Sequence, residues 1–171
     1  MYYENTIFKM TEQQKEFLRL HVICDVDYNT ISQKINVPKS TLSKWYEDLR
    51  SERERIARIK TVWTKKKFTP VFEDFYNKYL AMERKCEYCS VTEDEIRILL
   101  DRKRIYTKRI PTRGRTLEFD RKMSELQYAE FDNVVLCCYW CNNAKTDEFS
   151  YEEFKEVGKV FEKIWKKRLE E

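Results

Sequence analysis

Apolar residues recur at helical spacing in three groups over the first fifty residues of the chain. Positions three or four residues apart lie on one face of a helix, so each group predicts one amphipathic helix. Thr11 followed by Gln14 is typical of a capping box and predicts where the first helix begins. A four-residue turn at 36–39 separates the second group from the third. The apolar positions are Phe17, Leu20 and Cys24, then Ile31 and Ile35, then Leu42, Trp45 and Leu49.

The rest of the chain combines helical patterns with two short strand patterns. Residues 56–83 are charged and aromatic, and they predict a helical linker. Residues 116–122 and 133–138 predict two strands of a small β-hairpin. Capping boxes that begin at Thr92 and Ser150 predict two further helices. We therefore predict a mainly α fold with one β-hairpin (α+β), in three parts: a trihelical domain (1–55), the linker (56–83) and a second domain (84–171).

Composition excludes several classes of protein. The chain has 171 residues, which is enough for one ordinary domain or two small ones. With two glycines it can contain neither a P-loop nor a glycine-rich dinucleotide loop, and with one histidine it can contain no paired-histidine metal site. No apolar run approaches the ~20 residues of a membrane span, and the first residues do not form a signal-peptide pattern. We therefore expect a soluble, cytoplasmic protein that makes no contact with a membrane.

Four of the six cysteines form two pairs of identical spacing, Cys86-x2-Cys89 and Cys138-x2-Cys141. Such pairs form small turns whose sulfur atoms point at one ion, and four thiolates suit tetrahedral Zn²⁺. The 48 residues between the pairs exceed the usual ribbon spacing, so other elements must be inserted there. We predict a closed, structural zinc site, and a chance arrangement of structural cysteines is the alternative. Cys24 and the strand residue Cys137 are expected to be small buried apolar residues.

Two segments of the second domain resemble the HNH endonuclease, or His-Me finger, superfamily. The first is 117–121, Leu-Glu-Phe-Asp-Arg, and the second is 133–145, in which an asparagine stands five residues before Cys-x2-Cys-Asn-x2-Lys. The resemblance covers about residues 84–165, or half of the chain. It implies a two-stranded hairpin and a helix (ββα) that hold a catalytic divalent metal, with the cysteines on a separate structural zinc.

Carried over by position, the resemblance makes Asp120 and Asn142 ligands of a catalytic Mg²⁺ or Mn²⁺. It makes Asn133 a residue that orients the loop. Asp120 and Asn142 also suit turns and caps at strand ends, so a structural role for both remains open.

Arg121 stands where the family has its general-base histidine. A guanidinium stays protonated and has no acceptor, so it cannot take a proton from water. It could instead hold a phosphate or stabilise a developing charge. Glu118 and Lys122 on the same strand are alternative bases. The sequence therefore supports the ββα fold of these nucleases better than it supports their cleavage of phosphodiester bonds.

Residues 30–46 resemble the helix-turn-helix of transposases, phage terminase small subunits and related regulators. In that arrangement the second helix presents short polar and basic side chains to the base edges of DNA. Trihelical bundles also mediate protein contacts, so that alternative remains. The predicted DNA-facing residues are Lys39, Ser40, Thr41, Ser43, Lys44 and Glu47.

Positive charge is concentrated in two segments, although the formal net charge is only +4. Residues 50–67 contain eight basic and two acidic residues, and residues 101–115 contain seven basic residues and one acidic residue, so each segment carries +6. Such concentration is typical of phosphate neutralisation, and a solvated charged face is the alternative. The predicted phosphate-binding residues of the second segment are Arg102, Lys103, Arg104, Lys108, Arg109, Arg113 and Arg115.

These patterns together favour a DNA-binding protein of phage or mobile-element type. In this interpretation a helix-turn-helix reads a site, and an HNH-type zinc domain that lacks standard nuclease chemistry grips nearby phosphates. The alternatives are an active metal-dependent HNH endonuclease and an accessory subunit of a larger nucleoprotein complex. RNA in place of DNA remains open, and the sequence does not predict the oligomeric state.

Overall fold

The computed structural model of the protein describes residues 10–107, 113–126, 128 and 131–171. Within these residues the fold is mainly helical with one small antiparallel sheet, which confirms the predicted α+β class. No helix in this part of the chain has the length and apolar character needed to cross a membrane.

The chain forms two compact units. The first comprises Met1–Lys67 and Val71–Asn77, and the second comprises Phe68–Pro70 and Lys78–Glu171. The segment predicted as a linker is therefore shared between both units. Residues 1–9 of the predicted trihelical domain lie outside the described residues.

The first unit begins with helices whose ends follow from local capping. Thr11 makes a capping box with Gln14, as predicted, and Asp27 accepts hydrogen bonds from two backbone N–H groups of the next helix. Asn36 has a left-handed backbone (φ 52°), which ends that helix and begins a tight turn. The elements are α1 (Glu12–Leu18), a π-helical turn (Arg19–Ile23), α2 (Tyr28–Ile35), α3 (Lys39–Asp48) and α4 (Arg50–Lys66).

The core of the first unit forms around Phe17, which is completely buried. Its ring lies 5.9 Å from that of Tyr28 and 6.0 Å from that of Trp45, so side chains of α1, α2 and α3 meet there. Ile31 and Leu42 are also fully buried. The predicted apolar stripes therefore pack against one another and hold the three helices together.

Helix α5 (Phe72–Ala81) contains the division between the two units. In the first unit, the Phe72 ring lies 5.6 Å from that of Trp63 on α4. In the second unit, the Tyr79 ring lies 5.7 Å from that of the strand residue Phe119. The aromatic stripe of this helix thus contributes to both cores.

The second unit contains a two-stranded sheet with helices packed around it. Strands β1 (Glu118–Arg121) and β2 (Val134–Cys137) pair antiparallel, with Glu118 opposite Cys137 and Arg121 opposite Val134. Both strands are shorter than the predicted 116–122 and 133–138. Thr92 and Ser150 form the two predicted capping boxes. The helices are α6 (Glu93–Asp101), a 3₁₀ turn (Phe131–Asn133), α7 (Tyr139–Lys145) and α8 (Tyr151–Glu170).

Gly158 allows α8 to pack closely on the chain around the first cysteine pair. A Cβ atom at this position would lie 2.6 Å from the carbonyl carbon of Tyr88, well inside van der Waals contact. Gly158 itself is buried, and the neighbouring α8 residue Phe154 contacts the Tyr88 ring at 5.1 Å. The long C-terminal helix therefore supports the cysteine region directly.

Candidate functional site

The two cysteine pairs converge in the core of the second unit. Cys86 and Cys89 lie in a tight turn that is closed by hydrogen bonds from Cys86 N to Val91 O (2.9 Å) and from Ser90 N to Cys86 O (2.9 Å). Cys138 caps the N-terminus of α7, and Cys141 lies in its first turn. The four Sγ atoms lie within 4.8 Å of one another, and all four residues are buried. The structure therefore brings together the four predicted zinc ligands.

The geometry of this cluster suits a tetrahedral metal ion. The Cys89 and Cys138 sulfur atoms lie 3.7 Å apart. A disulfide requires about 2.05 Å, whereas sulfur atoms bound at ~2.3 Å to one tetrahedral zinc lie ~3.8 Å apart. Hydrogen bonding with Cys138 and Cys141 holds the pKa of the Cys86 thiol well below its usual value. Four buried sulfur atoms leave no position for water, so the arrangement fits a structural rather than a catalytic ion.

The other two cysteines differ from each other. Cys137 is completely buried, and burial raises the pKa of its thiol well above the usual value. Cys24 is half-buried, and its Sγ donates a hydrogen bond to Glu73 (3.3 Å). Cys24 is therefore not the simple apolar core residue that the spacing predicts, because the π-helical turn carries it towards a carboxylate.

Asp120 lies on the face of β1 that packs against α7, and it is buried. Its Oδ2 accepts a hydrogen bond from the Tyr88 hydroxyl (2.7 Å) and lies 3.5 Å from Lys145 Nζ. Lys145 is 1% exposed and also donates to the Arg121 carbonyl (3.0 Å). The carboxylate oxygen predicted to bind a catalytic metal is therefore held by a tyrosine and a lysine.

Sequence reasoning did not identify Tyr88 and Lys145 as partners of Asp120. A signal for each was present: Tyr88 lies inside the first cysteine pair, and Lys145 follows Asn142 by three residues, on the same helix face. The sequence pattern could not show that these side chains lie close to Asp120. Tyr88, for example, is separated from Asp120 by 31 residues along the chain.

Asn142 lies one helical turn before Lys145 and contacts a different carboxylate. Its Nδ2 donates to Glu118 Oε2 at 2.7 Å. Arg113 Nε donates to Glu118 Oε1 at 2.8 Å, and a second hydrogen bond joins its Nη2 to Oε2. Helix α7 thus faces two acidic residues of β1, with Asn142 beside Glu118 and Lys145 beside Asp120.

Arg121, which the sequence resemblance places at the general-base position, lies at the end of β1. Its Nη2 lies 3.0 Å from Asp147 Oδ1, its Nη1 donates to Leu126 O (3.3 Å), and its guanidinium lies over the Tyr128 ring at 5.2 Å. Asn133 is buried, and its side-chain amide makes two hydrogen bonds with the Met123 backbone (2.9 and 3.2 Å). Asn133 therefore fixes the chain that follows β1.

A comparison with solved structures finds the HNH restriction endonuclease PacI, described for an extraordinary mechanism of DNA perturbation. The match has a TM-score of 0.50 and 23% sequence identity, and it covers 66% of this chain and 77% of that enzyme. This chain resembles an HNH endonuclease in its fold. No protein-family model matches the sequence, and no curated protein matches it. At this level of identity the similarity concerns the fold alone.

In the first unit, the predicted DNA-facing residues of α3 lie on its outer side. Lys39, Ser40, Ser43, Lys44 and Glu47 are exposed, and Thr41 is half-buried. Leu42 is buried on the opposite side of the helix. The surface that the helix-turn-helix prediction requires is therefore available, while its role in binding DNA stays a prediction.

The described residues of the basic segment 101–115 differ in their contacts. Arg102 Nη1 donates to Leu169 O (2.9 Å), and Arg104 Nη2 donates to Glu171 O (3.1 Å), so both arginines bind the C-terminal end of α8. Cations are favourable there because the last carbonyl groups of a helix lack partners. Arg113 is held by Glu118 as described. Lys103 and Arg115 are exposed, and Lys108 and Arg109 lie outside the described residues.

Proposed function

We propose that this protein binds duplex DNA through α3 and through an HNH-like zinc unit that lacks the standard HNH cleavage chemistry. One observation carries the second part of the proposal. The Asp120 carboxylate is buried against Tyr88 and Lys145, and a guanidinium follows it where the resemblance expects a histidine. A lysine ammonium beside the carboxylate opposes a divalent cation there, and Arg121 cannot remove a proton from water.

The zinc site supports a structural role for the second unit. Four buried thiolates and no open position suit an ion that holds the fold together. Zinc would join the turn at Cys86–Cys89 to the start of α7 and so fix the hairpin between them. Zinc in this protein would therefore organise a binding surface and would take no part in DNA cleavage.

The first unit would supply sequence recognition. Lys39, at the start of α3, and Lys44, in its middle, are both exposed on the helix that would enter the major groove. Exposed Arg55 and Arg58 on α4 would bind neighbouring phosphates. Both contributions predict an affinity that falls as the salt concentration rises.

Fluorescence anisotropy on a library of random-sequence duplexes tests the binding proposal. We expect Lys39→Ala with Lys44→Ala to reduce affinity at least tenfold, whereas the matched control Lys163→Ala on α8 leaves it within about twofold. An RNA duplex of the same length distinguishes the two nucleic acids. Binding of neither duplex by the zinc-loaded protein would contradict the proposal and favour a role as a protein-docking subunit.

An active metal-dependent endonuclease is the second candidate, and one observation favours it. Glu118 and Asn142 are in contact through Asn142 Nδ2, and their oxygen atoms are ligand types that Mg²⁺ and Mn²⁺ accept. A metal ion there would have to displace Arg113, which is paired with Glu118. Plasmid nicking with each metal separates the two candidates. Cleavage that is lost in Glu118→Gln and Asp120→Asn would establish the enzyme. We expect no nicking by the native protein, and we expect that a gain of nicking in Arg121→His would indicate a scaffold whose base has been lost.

A further inference from the structure

Tyr106 is the most exposed large apolar or aromatic side chain recorded in the described part of the chain, at 75%. It borders a groove of about 590 Å³ in the second unit, which has the volume typical of sites for small organic ligands. Helix α6 forms one wall, through Arg97 and Leu100, and Arg115 with Thr116 forms another. An exposed aromatic ring beside such a groove can stack on a ligand that has a flat, apolar face.

The backbone around Tyr106 is held firmly although the ring is exposed. The residues on either side, Ile105 and Thr107, are buried at 6% and 5% exposure. The Tyr106 carbonyl accepts a hydrogen bond from Trp140 Nε1 (3.3 Å), which belongs to α7 beside the zinc ligands. The ring is therefore presented on a fixed support, so stacking on it would cost little backbone ordering.

Some of the charged side chains around the groove have partners within the protein, and others have no ion pair recorded in the described part of the chain. Arg97 is paired with Asp94, and Glu93 accepts from Leu117 N (3.0 Å) and lies 3.5 Å from an arginine, Arg84. Among the described residues, no ion pair is recorded for exposed Lys103, Arg115 or Asp101. The groove thus offers two unpaired cations against one unpaired carboxylate.

We propose that this groove binds an unstacked nucleobase of the bound nucleic acid, with the Tyr106 ring stacked on the base and with Lys103 and Arg115 on the flanking phosphates. The proposal rests on the proposed DNA-binding function and specifies its ligand. An aromatic face between exposed cations is the arrangement that proteins use for bases outside a regular duplex. Lys103 and Arg115 are chosen for this role because Arg102 and Arg104 are already bound to the end of α8.

The test compares two duplexes of one sequence, one fully paired and one with a central single-nucleotide bulge of 2-aminopurine. Anisotropy gives the affinity of the full-length zinc-loaded protein, and 2-aminopurine fluorescence reports stacking of the bulged base. We expect tighter binding of the bulged duplex and a loss of about tenfold or more for that duplex in Tyr106→Ala. Tyr106→Phe keeps the ring and should retain the native affinity.

Further variants separate the contributions of ring and charge. Lys103→Ala with Arg115→Ala should weaken binding of both duplexes and reduce the salt dependence. Val160→Ala, at an exposed position of α8 outside the groove, serves as the control and should change neither affinity. Equal effects of Tyr106→Ala on the two duplexes, or no effect on either, would overturn the inference while leaving DNA binding intact. Failure of the native protein to bind both duplexes would instead contradict the proposed function.

Discussion

Tyr88 lies inside the first cysteine pair and donates its hydroxyl group to the buried Asp120 carboxylate. Burial, and then the hydrogen bond to Asp120, raises the pKa of Tyr88 above its usual value, so the hydroxyl keeps its proton. Lys145 Nζ lies 3.5 Å from the same carboxylate oxygen, Oδ2. A buried charge is tolerated only when its partners are in place, so each of the three groups depends on the other two.

Tyr88→Phe should lower the free energy of unfolding by about 1–3 kcal/mol, because it removes a hydrogen-bond donor from a buried carboxylate. Urea denaturation of the zinc-loaded protein measures the change. Tyr106→Phe removes the same hydroxyl group from an exposed ring and should stay within about 0.5 kcal/mol of the native protein. Equal effects of the two substitutions would show that the Tyr88–Asp120 contact adds nothing to stability.

The environment of Asp120 could be predicted only in part from the sequence. Strand alternation places Glu118 and Asp120 on one face of β1, and helical spacing places Asn142 and Lys145 on one face of α7. The pattern does not say which of the two carboxylates meets the lysine. That pairing depends on how the helix lies across the hairpin, and the helix position follows from the distant Cys86–Cys89 turn.

At the scale of elements, α8 is held against the cysteine turn by the absence of a side chain at Gly158. An alanine there would improve helix propensity by about 1 kcal/mol. Its methyl group would also meet the backbone of Tyr88, which cannot shift without moving Cys86 and Cys89. Overpacking of this kind costs about 1–3 kcal/mol.

Gly158→Ala should therefore destabilise the protein by up to about 2 kcal/mol net, despite the better helix former. Thermal unfolding monitored by circular dichroism measures this, and competition with a chromophoric chelator should show faster zinc loss. Val160→Ala on the same helix is exposed and provides the control, within about 0.5 kcal/mol. A stabilised Gly158→Ala protein would mean that α8 does not approach the turn this closely.

Arg19 joins the π-helical turn to α5 within the first unit. Its guanidinium lies 2.6 Å from Glu73 and 2.7 Å from Glu16, and hydrogen bonding from Arg19 lowers the pKa of both carboxyl groups. A lowered pKa in the folded state stabilises the fold above the unfolded pKa of about 4.3, and that contribution is lost as the pH falls through the folded value.

Arg19→Met should therefore make the first unit less stable at pH 7 and less sensitive to acid below about pH 4.3. Urea midpoints measured at pH 7, 5, 4 and 3 test both parts. Arg50→Met, which breaks the exposed pair with Glu54, is the control and should have little effect at any pH. An unchanged pH profile in Arg19→Met would show that the bridge to Glu73 is not formed in solution.

The elements themselves were largely predictable where local chemistry determines them. Capping boxes at Thr11, Thr92 and Ser150 form as the sequence indicates. The π-helical turn after Leu18 was not predicted, because apolar spacing alone does not register one extra residue per turn. The strands are shorter than predicted at both ends, because only four residue pairs find partners in the two-stranded sheet.

For the whole molecule, the cysteine cluster is the feature on which the second unit most depends. The four sulfur atoms come from two segments that are far apart in sequence, and all four cysteines belong to one buried core cluster. Structural zinc sites contribute ~10–16 kcal/mol of apparent binding free energy in small zinc-finger peptides. Such a contribution is comparable to the whole usual stability of a domain of this size, about 5–15 kcal/mol.

Removal of zinc should therefore unfold the second unit and leave the first unit folded. The purified protein should contain one zinc per chain by elemental analysis, and EDTA should abolish the dispersed amide NMR signals of the second unit. Signals of Phe17 and Leu42 in the first unit should persist. Cys86→Ser should reproduce the chelator effect, whereas Cys24→Ser should not, and zinc-free protein with an unchanged melting temperature would contradict a metal-dependent fold.

At this scale the sequence predicted the presence of two cores and a four-cysteine site, but its boundaries at 55 and 83 do not match the two units, which divide near Lys67 and within α5. Residues 56–83 are charged on their exposed side and aromatic on the other, which is typical of a linker helix as well as of packed helices. Only the packing distinguishes these cases. The same applies to the basic segment 101–115, where composition does not reveal that two arginines bind the end of α8.

The 48 residues between Cys89 and Cys138 have a consequence for the order in which the chain matures. Domains usually fold from the N-terminus as they are synthesised, and the first unit is complete once Asn77 has been made. The second unit has only half of its sulfur donors until the ribosome has passed Cys141. A nascent or prematurely ended chain would therefore carry half of the site, a lone thiol pair that can oxidise or bind the wrong metal. Supply of the ion therefore matters only after Cys141 has been made, late in the synthesis of the second unit.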